Sequence, residues 1–98
     1  MIYYVYILHC SDNTYYTGIT NNLNKRIEEH QSGKNFNSYT SRRLPVQLMF
    51  YCTFTNVEVA ISKEKQIKKW SKAKKEALIN NQFDKLPNFA RKKFPNKK

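Results

Sequence analysis

The chain opens on an apolar run without a polar face, Ile2-Tyr3-Tyr4-Val5-Tyr6-Ile7-Leu8-His9-Cys10. Its aromatic and β-branched content predicts a strand covered on both sides. Ser11-Asp12-Asn13 is a turn cluster, and Thr14 to Thr20 reads as the returning strand of a hairpin. A three-residue loop with Asn13 in the left-handed region pairs Cys10 with Thr14, hence Leu8 with Tyr16 and Tyr6 with Gly18. That parity puts Tyr6 and Tyr16 on one face, where a two-residue loop would put them on opposite faces, and with a shared face Gly18 is expected to leave open space beside the two phenols. The period then changes. Leu23, Arg26, Ile27 and His30 follow helical spacing, with Asn21 or Asn22 as the cap and Gly33 at the exit. Lys34 to Pro45 is polar, basic and loop-like, and Val46 to Phe54 is a third strand. Thr55 with Glu58 forms a capping-box pattern opening a second helix that runs to about Lys69. Ser71 caps a short third helix ending near Ile79 or Asn80. The expected architecture is α+β, a small three-stranded, mainly antiparallel sheet flanked by helices in the order ββαβαα. Residues 1–80 form the domain and residues 81–98 a basic tail.

Several polar residues stand where such elements turn inward. The apolar stripe of the second helix is Val57, Ala60, Ile61 and Ile67, and Glu64 falls on it. A carboxylate on an inward face costs several kcal/mol unless a cation or hydrogen bonds meet it. It is therefore either a partly buried salt bridge to Arg26 or a lysine, or a metal-binding or catalytic carboxylate. Arg26 and His30 stand at i, i+4 on the first helix. They read either as a surface arginine beside a solvated histidine, or as a positive corner that grips phosphate and handles a proton.

Composition narrows the chemistry. No apolar run among the 98 residues approaches the ~18–20 needed to cross a bilayer, and the N-terminal segment reads as a strand rather than a secretion leader. Cys10 and Cys52 do not make a disulfide framework, so a reducing, cytoplasmic setting is expected. His9, Cys10, His30 and Cys52 are zinc-ligand types without zinc spacing. The acids are Asp12, Glu28, Glu29, Glu58, Glu64, Glu76 and Asp84; with Glu64 alone on an inward stripe, a two-metal centre is disfavoured. Eighteen Lys+Arg against seven Asp+Glu give a net charge of +11, which points to a polyanion. Candidate contacts are Gly18 where a ligand approaches the sheet, Lys34, Arg42 and Arg43 in the long loop, and Lys65, Lys68, Lys69 and Lys72 in a run of seven lysines between Lys63 and Lys75. Arg91-Lys92-Lys93 extends the basic surface, and Phe36 and Tyr39 supply rings for stacking on an unpaired base.

Tyr4-Val5-Tyr6, Tyr16-Thr17-Gly18 ten residues later, then Arg26, His30 and Glu64 in order resemble the GIY-YIG nuclease superfamily. The likeness covers roughly residues 2–80, and is greatest to its small stand-alone bacterial members; the N-terminal catalytic domain of the bacterial repair excinuclease is also similar. The resemblance implies a divalent-metal-dependent endonuclease that hydrolyses DNA phosphodiesters with one Mg²⁺ or Mn²⁺, with DNA repair or processing of branched or single-stranded forms as the setting. It further implies that Glu64 holds the metal, Arg26 neutralises the scissile phosphate, Tyr6 and Tyr16 orient or deprotonate the attacking water, and His30 assists. Tyr4 stands where the family has its first glycine, and Thr17 where the second triplet has isoleucine. Asn80, Asn81 and Asn88 are candidates for the asparagine that many members carry after the glutamate helix. A non-catalytic nucleic-acid-binding module and a basic protein-interaction domain are the alternatives.

Overall fold

Val5 to Leu8 are all buried, because the strand they lie on is the middle one. In the computed structural model, which describes residues 1–33 and 38–80, β1 (Tyr3–His9), β2 (Tyr15–Thr20) and β3 (Gln47–Phe54) form one sheet in the order β2-β1-β3. Both pairings are antiparallel, and the hairpin register is the one the turn chemistry predicts. Tyr6 opposes Gly18 and Leu8 opposes Tyr16. Asn13 has φ 68°, and the Cys10 N–H donates to the Thr14 carbonyl at 2.8 Å.

Each face of the sheet carries its own helices. Val5, Ile7, Cys52 and Phe54 pack with Ala60 and Ile67 of α3 (Val57–Lys68) and Ala77 and Leu78 of α4 (Lys72–Ile79). The opposite face buries Tyr6, Leu8, Cys10 and Val46 against Leu23 and Ile27 of α1 (Leu23–Ser32) and Tyr39 of α2 (Ser38–Ser41). Cys10 and Cys52, both free, thus lie in cores on opposite faces.

The ends of the helices follow their side chains. Asn22 Oδ1 accepts from the Lys25 N–H at 3.2 Å, and Gly33 closes α1 in the left-handed conformation at φ 71°. Ser71 caps α4 as expected, its hydroxyl accepting from the Lys74 N–H.

Three local expectations are corrected. The cap of α3 is Asn56, whose Oδ1 accepts from the Val59 N–H at 3.0 Å; asparagine is at least as good a cap as threonine and displaces the Thr55 box by one residue. The inward face of α3 is Ala60, Glu64 and Ile67, with Val59 half-buried, while Val57 and Ile61 are 40% and 39% exposed. The segment read as a loop contains α2, tied down by tertiary bonds that no local pattern reveals. Lys34 and Phe36, and the tail from Asn81 onward, lie outside the described residues.

Candidate active site

The free edge of β2 is where the helices of the two faces converge. Arg26 of α1 reaches that edge, with Nη1 3.5 Å from the Ile19 carbonyl and Nε 3.3 Å from Glu29 Oε1. Glu64 arrives from α3 on the other face. It is 8% exposed, and its Oε2 lies 3.1 Å from Lys68 Nζ. The same ammonium stands 5.8 Å from the Tyr16 ring centroid. The salt-bridge alternative for Glu64 is therefore realised with Lys68 rather than Arg26, and it leaves the carboxylate beside a tyrosine.

Between these two charges sits a triangle of rings. Centroid separations are 6.4 Å for Tyr6 and Tyr16, 5.7 Å for Tyr6 and His30, and 5.2 Å for Tyr16 and His30. Tyr6 and His30 are each 1% exposed, whereas Tyr16 is half-buried. The reading of His30 as a solvated surface residue is thus corrected. Its Nε2 lies 2.9 Å from Tyr6 Oη, and its Nδ1 lies 2.9 Å from Thr40 Oγ1. Burial, helped by the Arg26 charge, pulls its pKa from 6.5 down to about 4. The imidazole is neutral at pH 7 and carries one N–H, so one hydroxyl donates to it and the other accepts from it. Burial also raises the Tyr6 pKa, reinforced by Tyr16 and Glu64 and opposed by Arg26, whose guanidinium is within hydrogen-bonding reach of the phenol. Tyr6 therefore keeps its proton and is suited to donate a hydrogen bond rather than to act as a base.

Gly18 opens no space beside the phenols. A Cβ there would collide with Oη and Cζ of Tyr6 and stand 3.1 Å from Tyr16 Cε2. The absence of a side chain is what admits the Tyr6 ring. Gly18→Ala is expected to displace the phenol from His30 and to cost about 1–3 kcal/mol of stability, read from the denaturant midpoint. Tyr6→Phe in the same chain should recover part of that loss by removing Oη.

The family model of the GIY-YIG catalytic domain matches residues 2–77. The chain belongs to the GIY-YIG catalytic-domain family, a family of nucleases. It is 45% identical over 83 residues to a UPF0213 protein of Syntrophus aciditrophicus, covering 85% of this chain and 95% of that protein. A UPF0213 protein of Clostridium perfringens is 44% identical over 86 residues, covering 88% and 91%. The solution NMR structure of the UPF0213 protein BH0048 from Bacillus halodurans matches with a TM-score of 0.54 and 35% identity over the whole of both chains.

Within this GIY-YIG domain, Thr17 at the isoleucine position is buried, and its Oγ1 has no hydrogen-bond partner among the described residues. Asn80 is exposed at the C-terminal cap of α4. Among the described residues no group of three His, Cys, Asp or Glu converges. The donor set at the β2 edge is one carboxylate with a phenol nearby. That set fits a hard divalent ion that takes its remaining ligands from water and a substrate phosphate.

The candidate binding residues separate into two kinds. Lys65, Lys68, Lys69, Lys72 and Arg42 are exposed. Arg43 is engaged internally, with Nε 2.8 Å from Asp12 Oδ2 and Nη1 2.8 Å from the Tyr39 carbonyl, and its guanidinium lies 3.8 Å above the Tyr39 ring centroid. Tyr39 in turn leans on Tyr16 at 5.9 Å between centroids and donates to Thr14 Oγ1 at 2.8 Å, so it is a wall of the site rather than a free loop ring.

A cleft of about 440 Å³ runs along that wall, lined by Tyr15, Tyr16, Thr17, Tyr39, Lys68 and Lys75. Lys75 and Thr40 belong to the site although no sequence pattern singles them out. The lysine run contains Lys75, but its place in the cleft depends on how α4 docks, through the bond from Tyr15 Oη to Glu76 Oε2 at 3.1 Å. No helix of the described residues is long and apolar enough to cross a membrane.

Proposed function

We propose that this chain is a metal-dependent endonuclease that hydrolyses phosphodiester bonds in DNA with a single Mg²⁺ or Mn²⁺, working in the cytoplasm in repair or in processing of branched or single-stranded forms. The observation that carries the proposal is the meeting of Tyr16, Arg26 and Glu64 at one sheet edge, backed by a buried Tyr6–His30–Thr40 chain and opening on a lysine-lined cleft. Glu64 would hold the ion, which when bound polarises the phosphate and stabilises the leaving oxygen.

The chain's own groups account for the rest. Arg26 presents a planar set of donors to the non-bridging phosphate oxygens and offsets their charge. Of the three rings of the triangle Tyr16 is the one that borders the cleft, so its oxygen is the one placed to orient the attacking water. Tyr6 and His30 are too deeply buried to touch substrate and act as positioning residues, locking the Tyr16 ring from beneath.

The test is cleavage of labelled single-stranded, duplex and flapped DNA by the full chain with Mg²⁺, Mn²⁺ or EDTA. Cleavage is expected with either ion and not with EDTA, weakening steeply with salt as counterion release predicts. Tyr16→Phe is expected to slow it by about 10²–10⁴-fold. Binding without cleavage under any metal would establish a non-catalytic nucleic-acid module instead, and no binding at low salt would favour an acidic protein partner.

A further inference from the structure

Lys68 has two claims on it. From α3 its ammonium reaches Glu64 Oε2 at 3.1 Å, and the same residue lines the cleft that holds Lys75. The ion pair is lopsided, since the Glu64 side chain is 11% exposed and that of Lys68 55% exposed. The carboxylate is held in the protein, while the lysine is mostly in solvent and also borders the cleft. We infer that the cleft is a subsite for a backbone phosphate flanking the reaction centre, seated between Lys68 and Lys75, and that filling it draws Lys68 away from Glu64 and frees that carboxylate for a divalent cation. Substrate and metal then bind cooperatively. This inference rests on the nuclease reading above and deepens it by stating the order in which the site is completed.

Three features support it. Lys75 is half-buried, and burial together with the Lys68 charge lowers its pKa, so two like charges face one cleft that an anion would neutralise. Thr17 lines the same cleft, and its buried hydroxyl just behind that surface has no partner among the described residues. A neighbouring cleft of about 370 Å³, lined by Asp12, Asn13, Thr14, Tyr15, Lys72 and Lys75, shares Tyr15 and Lys75 with it, so the two together offer a strand more room than a single phosphate needs. A monovalent ammonium and a divalent ion compete for the same carboxylate oxygens, so whatever removes the first favours the second.

The experiment measures Mn²⁺ binding by the full chain from the electron-paramagnetic signal of free Mn²⁺, in a Tyr16→Phe background that suppresses cleavage, with and without hexathymidylate. The oligonucleotide is expected to tighten Mn²⁺ binding about 10-fold, and Mn²⁺ to tighten oligonucleotide binding by the same factor, because the coupling is reciprocal. Lys68→Met is expected to tighten Mn²⁺ binding about 10-fold without oligonucleotide and to abolish the coupling. Lys75→Met is expected to weaken the oligonucleotide about 5-fold and to leave Mn²⁺ alone unchanged. Unchanged Mn²⁺ affinity in Lys68→Met, with Glu64→Gln still weakening the ion, overturns the coupling and spares the metal assignment. Unchanged affinity in Glu64→Gln overturns the metal assignment itself. Full tightening by thymidine monophosphate overturns the strand assignment in favour of a mononucleotide.

Discussion

Glu64→Gln is expected to abolish metal-supported cleavage, lowering the rate by about 10³-fold or more while leaving the fold intact. Glutamine keeps the volume and removes the charge, so the packing of α3 against the sheet through Ala60 and Ile67 is preserved. Lys68 loses its partner but is 55% exposed and turns to water, so no cation is stranded in the interior. The two readouts are the cleavage rate at saturating Mg²⁺ and the thermal midpoint. A variant that cuts at a tenth of the parental rate or better would refute Glu64 as the ligand. One that unfolds would identify the carboxylate as structural, and Lys68→Met, which leaves the carboxylate in place, would then separate the two roles.

Acid is expected to destabilise the protein before its carboxylates titrate, because of His30. In the unfolded chain this imidazole takes up a proton below about pH 6.5, whereas in the folded chain it resists until about pH 4. Between those values the unfolded state binds more protons, so stability rises with pH across the window and is lost as pH falls through it. The full effect is about 3 kcal/mol, a large share of the stability of a domain this size. Denaturant midpoints at pH 7 and pH 4.5 measure it. His30→Gln can still bridge Tyr6 and Thr40 but does not titrate, so it should start lower at pH 7 and lose much less on acidification. The same pH dependence in His30→Gln would show that another group is responsible. Protonation of His30 also breaks whichever bond it accepts, from Tyr6 or from Thr40, so activity should fall with stability over the same range.

The parts of this site that are legible in the sequence are those that obey a short-range rule. A three-residue turn and the two-residue period of a strand are enough to put Tyr6 and Tyr16 on one face, because a slip of a single residue would have separated them. Glu64 stands out as the wrong residue for its helical face. His30 does not, because what buries it is α2, a four-residue helix whose formation depends on Thr40 meeting His30, Tyr39 meeting Thr14, and Arg43 meeting Asp12. Such a helix is too short to be stable alone, and its pattern is invisible until its partners are placed. Lys75 is hidden for a related reason: among seven lysines, its distinction is the direction in which α4 is held by Tyr15. The open space expected at Gly18 is absent, because the Tyr6 phenol occupies the place a Cβ would take.

The position of the site on the sheet has a consequence for how the chain keeps to itself. Among the described residues β2 has a neighbour on one side only, and a bare outer strand is a template on which another molecule's strand can add. Here Arg26 occupies the Ile19 carbonyl on that rim, and Glu64 and Lys68 stand over it from α3. The charges proposed to work on a phosphate also guard the rim of the sheet, so their loss would leave the chain open to strand-by-strand self-association as well as inactive.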